Sequence, residues 1–347
     1  MFRTSELAAL GLAVATMPAL CAGAVAADAY PSKPVRLIVP TATGGSTDVV
    51  ARIIGAQLAE RLRTQVVVDN RGGAGGAIGV EIAAKAAADG HTLLLVSASQ
   101  MTLPALRKLP YDPVKSFVPI AKLASVYLAL VVHSTVEASS VQEFIALAKR
   151  KPGAIIFSGS GPGAHTTMAT ELFKSMAGVD VVIVEYKSGG PAVIDLLGGH
   201  THAMLATIPS VLPHIKAGKV KVLATSGAER SNLLPDAPTI DKAGVPGYST
   251  VQWHGVVAPA GTPQRIIDLL HTELKAILAS DQAKKRLVGS GAEIDYLPPK
   301  EFGVFMRQDM EQWSQLIRKA GIKLRDQGSP QPSSGRLSLI FSDMSVP

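Results

Sequence analysis

Apolar positions along the chain fall into two alternating kinds of run. Short continuous ones read as strands: Val35-Arg36-Leu37-Ile38-Val39, Val66-Val67-Val68, Thr92-Leu93-Leu94-Leu95-Val96, Ile155-Ile156-Phe157, Val181-Val182-Ile183-Val184, Ala203-Met204-Leu205 and Val220-Lys221-Val222-Leu223. Between them, apolar residues recur at helical spacing. Val49, Val50, Ile53, Ile54 and Leu58 follow Ser46-Thr47-Asp48, with Ser46 as N-cap and Asp48 suiting the positive helix start. An alanine-rich helix runs from Gly72-Gly73-Ala74-Gly75-Gly76 to near Asp89-Gly90, another carries Met168, Leu172 and Phe173, and a third spans 190–197. Two long amphipathic helices, 263–279 and 299–320, close the pattern. Strands apolar throughout, alternating with helices, predict an α/β fold of mainly parallel sheets flanked by helices.

The alternation fails in two places. Residues 117–133 hold two apolar runs with no helix between them, and 253–258 is an extended run just before the final helices. These read as two crossings between domains. Domain 1 is then 27–130 plus 255–322, with domain 2, 131–254, inserted into it. The first 26 residues read as a secretory signal peptide. Arg3 precedes an apolar run from Ala8 to Leu20, too short to span a bilayer, and Ala24-Val25-Ala26 is a small-x-small cleavage site. Pro18-Ala19-Leu20 is a poor lipidation context for Cys21. The reading places the mature chain in the periplasm. From 323 to 347 the composition is that of a disordered tail.

Composition narrows the function. The 347 residues are 47% hydrophobic and only 18% charged, which excludes intrinsic disorder, and the length suits two domains of about 150 residues. A single cysteine, Cys21, excludes disulfide scaffolds and cysteine-rich metal centres, and leaves with the signal. The net charge of +7 permits an anionic partner without identifying one. Enzyme motifs do not hold. Ile78 stands where a dinucleotide-binding loop needs its third glycine, and no acid follows about twenty residues on. No glycine loop carries a Walker lysine, and the 158–163 segment has no nucleophile elbow. His200-Thr201-His202 lacks further metal ligands and reads as a polar turn. Lys149-Arg150-Lys151 reads as a helix end, without an aromatic nucleic-acid motif beside it. No cofactor, metal or nucleic-acid partner is expected.

Three strand-to-helix loops share one chemistry: 40–48 (P-T-A-T-G-G-S-T-D), 158–167 (S-G-S-G-P-G-A-H-T-T) and 187–192 (K-S-G-G-P-A). Each joins glycines and hydroxyls to a helix start, and Ser97, Ser99 and Thr102 follow the third strand in the same way. Such loops lie at the C-terminal ends of parallel strands, where free backbone N–H groups and helix dipoles attract anions without help from lysine or arginine. Loops of this kind in both domains point to an anion-binding cleft between them. Two other readings remain open. One is an exported hydrolase using a loop serine such as Ser160 with His165 or His254. The other is the same binding module used for sensing.

The dispersed motifs Tyr30-Pro31-Ser32-Lys33-Pro34-Val35-Arg36, Gly44-Gly45-Ser46-Thr47-Asp48, Val66-Val67-Val68-Asp69-Asn70-Arg71-Gly72-Gly73-Ala74-Gly75-Gly76, Ala88-Asp89-Gly90-His91-Thr92-Leu93, Leu109-Pro110-Tyr111-Asp112-Pro113, Pro213-His214-Ile215-Lys216-Ala217-Gly218-Lys219 and Ala258-Pro259-Ala260-Gly261-Thr262-Pro263 stand in one order. Over about 30–322 the chain resembles the Bug-type periplasmic solute-binding proteins, receptors of tripartite tricarboxylate transporters. The resemblance implies a two-domain periplasmic-binding-protein fold of type II that closes over a small carboxylate or dicarboxylate. It also implies a monomer that docks on the transporter's membrane subunits and performs no catalysis. The implied ligand-binding set is Thr41, Thr43, Gly44, Gly45, Ser46, Ser97 and Ser99 from domain 1, with Ser160, Gly161, Gly163, Ala164, His165, Ser188, Gly189, Ala206 and Thr207 from domain 2. Asp48 is assigned to its helix rather than to the ligand. There are departures from the family pattern. Thr41-Ala42-Thr43 replaces an aromatic and two prolines, enlarging the pocket and adding hydroxyls. Many relatives carry Ser or Thr at the position of Ala164 and His at that of Thr167. Ala206 stands where some relatives place an acid or amide for a ligand ammonium, leaving Thr207 as the nearest polar group.

Overall fold

The computed structural model describes residues 30–161 and 163–320. The expected signal peptide and the tail from 323 lie outside the described residues. The chain begins with β1 (Val35–Val39), α1 (Ser46–Leu62), β2 (Val66–Asn70), α2 (Ala77–Ala84), β3 (Thr92–Ser97), α3 (Ala98–Leu106) and β4 (Phe117–Val126). It continues through β5 (Leu128–His133), α4 (Val141–Arg150), β6 (Ile156–Gly159), α5 (His165–Ala177), β7 (Val182–Glu185), α6 (Gly189–Leu197), β8 (Ala203–Thr207), α7 (Ile208–Lys216) and β9 (Val220–Thr225). It ends with β10 (Gln252–Pro259), α8 (Gln264–Ala279), α9 (Asp281–Gly289), β11 (Glu293–Leu297) and α10 (Pro299–Ala320).

Two sheets form, ordered β11-β4-β10-β3-β1-β2 and β7-β6-β8-β5-β9. The parallel pairs expected from the alternation are present, β2-β1-β3 in the first and β7-β6-β8 in the second. The sheets are nevertheless mixed rather than mainly parallel. β10 runs antiparallel to both β3 and β4, β11 to β4, and β5 to both β8 and β9. The cause lies in the two unbroken apolar segments. β4 and β5, joined without a helix, each lie inside a sheet between two antiparallel neighbours. The chain passes from the first sheet to the second at Tyr127, between β4 and β5, and returns between β9 and β10.

Both faces of each sheet are covered. In the first, Leu37, Leu93 and Val256 pack under α1 and α8, while Ile38, Leu94 and Val257 pack under α2, α3 and α10. In the second, Leu130, Phe157 and Leu205 meet α4 and α5, and Val131, Met204 and Ala206 meet α6 and α7. Helix α10 serves both units. Its Phe302 and Phe305 sit edge-on to Trp253, whose indole N–H donates to Asp309 at 3.0 Å, while Trp313 and Ile317 enter the core of the second sheet.

Three local expectations change. Gly45, not Ser46, is the N-cap of α1, and Ser46 is the first helical residue. The helix after the glycine run stops at Ala84 rather than near Asp89-Gly90, because Asp89 accepts the His91 N–H and pairs with Lys33, turning the chain toward β3. Ser99 and Thr102 lie within α3 rather than in a loop. Helices α7 and α9 and strand β11 are additional to the pattern read from sequence. In α7, Pro209 occupies the first turn, where no backbone donor is needed, and Ile208 and Val211 are buried.

In the second core Phe157 lies edge-on to Phe144, with ring centroids 5.8 Å apart, and is fully buried, whereas Ile194 on α6 is 68% exposed. Phe157→Ala is expected to lower unfolding free energy by about 3–5 kcal/mol, and Ile194→Ala to change it by no more than about 0.5 kcal/mol. Urea denaturation of the two variants checks this.

Candidate functional site

The helices α1, α3, α5, α6 and α7 begin where β1, β3, β6, β7 and β8 end, so five helix N-termini and their loops gather along the C-terminal strand edges. In the first unit the 40–45 loop is held from beneath by Asp48. Its carboxylate accepts the Gly44 N–H at 2.9 Å, Asn70 Nδ2 at 3.0 Å and Arg52 Nε at 3.1 Å. Asn70 also donates to the Thr41 carbonyl. Burial alone would raise the Asp48 pKa, but Arg52, Gly44 and Asn70 outweigh it and hold the carboxyl below its usual range. Asp48 thus shapes the loop and does not make the expected side-chain cap of α1. Above it Thr43, Gly44 and Gly45 are exposed and Ser46 is half-buried, while Thr41 Oγ1 is buried without a hydrogen-bond partner among the described residues.

The loop after β3 joins this one. Ser97 donates its Oγ–H and its backbone N–H to Gln100 Oε1, both at 2.9 Å, closing the start of α3. Gln100 Nε2 is left buried and unpartnered among the described residues. Room for it comes from Gly76, where a Cβ would lie 2.7 Å from Gln100 Nε2 and 2.8 Å from the Pro40 carbonyl. The glycine run therefore packs the β1 and β3 loops together. Ser99 is half-buried, one residue into α3.

In the second unit a carboxylate again orders the loop. Glu185, at the end of β7, accepts the Gly161 N–H at 2.9 Å and the Thr167 hydroxyl at 3.1 Å; the Thr167 oxygen in turn accepts the Ser160 N–H at 3.1 Å. A Cβ at Gly159 would lie 2.6 Å from the Glu185 carboxylate, so only glycine admits it. The N–H groups of Ser160 and Gly161 are thereby engaged within the loop. Ser160 Oγ is buried and unpartnered among the described residues, and lies beside Gly189 of the next loop, 3.6 Å from where a Cβ would stand. Gly163 is buried with φ of +76°, Ala164 is the half-buried N-cap of α5, and Ser188, the N-cap of α6, is exposed.

Ala206 and Thr207 sit at the crossing, where Ile208 N–H donates to the Tyr127 carbonyl. Ala206 is fully buried in the apolar cluster beneath α6 and α7. Thr207 Oγ1 donates to Ser210 Oγ at 3.1 Å.

Two buried histidines stand between the units. His165, the first residue of α5, has its Nε2 3.1 Å from Thr250 Oγ1, and His254 on β10 has its Nε2 3.2 Å from Thr47 Oγ1. Both Nδ1 atoms are unpartnered among the described residues. Burial pushes His165 down to about 4; burial, with His165 nearby, pushes His254 down to about 3. No hydrogen bond joins either ring to Ser160, so the nucleophile–base contact of a hydrolase is absent from the described residues. His202 serves the sheet, its Nδ1 accepting the Ile156 N–H at 3.0 Å, in keeping with a turn residue.

Sequence reasoning missed Thr47, Gln100 and Glu185 as parts of this region. The Ser97–Gln100 spacing is that of a capping box and was a readable signal. Glu185 carried none, because only strand pairing of β6 with β7 brings it to Gly159.

The family model for tripartite tricarboxylate transporter family receptors matches residues 50–322. The chain belongs to that receptor family. It is 37% identical over 328 residues to protein BugT of Bordetella pertussis, covering 94% of this chain and all of BugT. Among solved structures it is similar to R. palustris Rpa4515 with adipate, at 35% identity and TM-score 0.77, covering 85% of this chain and 99% of that one. It is likewise similar to the periplasmic binding protein BugD, at 34% identity and TM-score 0.76, covering 85% of this chain and all of BugD. The receptor family accounts for an α/β fold with binding loops and no enzyme motif.

The neutral histidines give the receptor a pH signature. Below about pH 6.5 the unfolded chain protonates both imidazoles while the folded chain does not, so stability falls on acidification until the folded values near 4 and 3. Asp309 acts oppositely: burial pushes it up to about 6, so the folded state holds a proton that the unfolded state releases above about pH 4. His202 and His271, which burial also lowers, add to the histidine side, so the balance between about pH 6 and 5 is a net loss of stability on acidification. Thermal melts between pH 7 and 5 should show this fall, and a His165→Asn, His254→Asn double variant should flatten it.

Proposed function

We propose that this receptor is exported to the periplasm, its first 26 residues removed, and that it binds a small carboxylate between two lobes, one built on each sheet. The loaded receptor then delivers the ligand to the membrane subunits of a tripartite tricarboxylate transporter. The observation that carries this reading is that six of the nine buried, unpartnered polar side-chain atoms among the described residues lie near the C-terminal strand edges. Thr41 Oγ1, Gln100 Nε2, Ser160 Oγ, Thr166 Oγ1 and both histidine Nδ1 atoms lie in or beside the loops that open α1, α3 and α5. Buried polar groups are ordinarily paired, so a cluster without partners implies a ligand or ordered water that completes it.

The chemistry favours an anion. Five helix N-termini bring partial positive charge to the strand edges without a site lysine, and hydroxyl and amide donors supply the hydrogen bonds. The first loop, Thr41, Thr43, Gly44, Gly45 and Ser46, and Ser97 with Ser99 would face Ser160, Gly163, Ala164, His165, Ser188 and Gly189 when the lobes close. Ala206, an apolar residue at the crossing, offers no countercharge for an ammonium. The structural likeness to an adipate-bound protein supports a dicarboxylate in particular.

A thermal-shift screen of the protein lacking residues 1–26 tests this. Carboxylates including adipate and malate should stabilise it saturably, by about 2.7 kcal/mol when the free ligand is at a hundred times its Kd. If only uncharged sugars or amines stabilise it, the reading is wrong.

A further inference from the structure

His165 and His254 are the most deeply buried histidines beside the proposed site, one on helix α5 of the second unit and the other on strand β10 of the first sheet. His254 pairs across β10 with Ser97, and its Nε2 meets Thr47 in the first turn of α1, so its ring stands between the starts of α1 and α3. His165 opens α5 directly after the 158–164 loop, fixed by Thr250 and by the edge of Trp313, with ring centroids 5.8 Å apart. The rings are 2% and 0% exposed, and His165 lies close enough to His254 to lower its pKa further. Both are anchored alike, Nε2 on a threonine hydroxyl and Nδ1 without a partner among the described residues. A neutral imidazole carries one N–H. When the threonine hydroxyl donates to Nε2, the proton resides on Nδ1, and Nδ1–H becomes a buried donor lacking an acceptor. One such group is a local cost; two, one from each side of the same junction, have the arrangement of a recognition pair.

We infer that His254 and His165 form a two-sided recognition pair, each donating its Nδ1–H to an oxygen of the bound ligand. The inference rests on the carboxylate-receptor reading and adds a specificity rule to it. With Nε2 occupied, neither ring can accept a hydrogen bond, so the pair admits carboxylate or hydroxyl oxygens and rejects an ammonium, which can only donate. Because the donors lie on both sides of the junction, a ligand that engages both couples its binding to closure of the lobes.

The test uses the whole receptor without residues 1–26, labelled with ¹⁵N, and the carboxylate giving the largest thermal shift, adipate first. Imidazole spectra should show both rings as Nδ1–H tautomers whose Nδ1 signals move on saturation. His254→Leu should weaken binding about tenfold or more, and His254→Asn, which returns an N–H near the Nδ1 position, should bind within about threefold of the parent. Ring signals unmoved by a ligand that stabilises the parent, or His254→Leu binding as tightly as the parent, overturns the pair while leaving the carboxylate reading intact. Failure of every carboxylate to stabilise the parent overturns both. The ring signals of the parent decide the matter even where a variant does not fold.

Discussion

A parallel strand can be followed by another only through a crossover, and here each crossover helix starts where its strand stops. That constraint generates the site. Because β2-β1-β3 and β7-β6-β8 are parallel, the helices that return the chain all present their N-termini along one edge of each sheet. The antiparallel strands β4, β5 and β10 carry the chain between sheets without helices and leave the junction free of crossover elements. Binding loops from two separate sheets can therefore share one junction without either sheet being distorted to reach it.

Each loop is also stiffened by an acid that faces inward. Asp48 in the first unit and Glu185 in the second accept backbone N–H groups at Gly44 and Gly161. These two N–H groups are committed to loop geometry rather than left free for an anion. What remains for recognition is side-chain hydroxyl, amide and imidazole, held by a backbone that has little freedom left. Preorganised polar groups of this kind bind without having to be ordered when the ligand arrives.

Much of this was legible in the residues. The seven apolar runs named as strands all became strands, because continuous burial on both faces leaves few alternatives for a run such as Leu93-Leu94-Leu95. The crossing within 117–133 was readable from the missing helix, whereas the return lies in 226–251, ahead of the 253–258 run, which is β10 of the first sheet. The loops around Gly44, Ser97, Ser160 and Ser188 were readable from glycine and hydroxyl content. Partner choice was not. Nothing local announces that Asp48 will hold Gly44 rather than a helix N–H, that Glu185 will cross to Gly161, or that His254 will meet Thr47 at a separation of 207 residues. These pairings depend on sheet order, which alternation does not fix. Helix α7 hid behind its two prolines, and α9 behind its low apolar content.

The positive balance of the chain has little to do with this site. Of the basic residues near the loops, Arg52 is bound to Asp48, Arg71 to Asp69, and Lys187 is exposed. An arginine clamp would bind many anions tightly and release them slowly, whereas a receptor must pass its ligand on. Neutral donors and helix dipoles supply enough attraction to hold a carboxylate while leaving no buried charge uncompensated when it leaves. The two imidazoles, kept neutral by burial, fit that requirement as polar side chains that bring no charge into the fold.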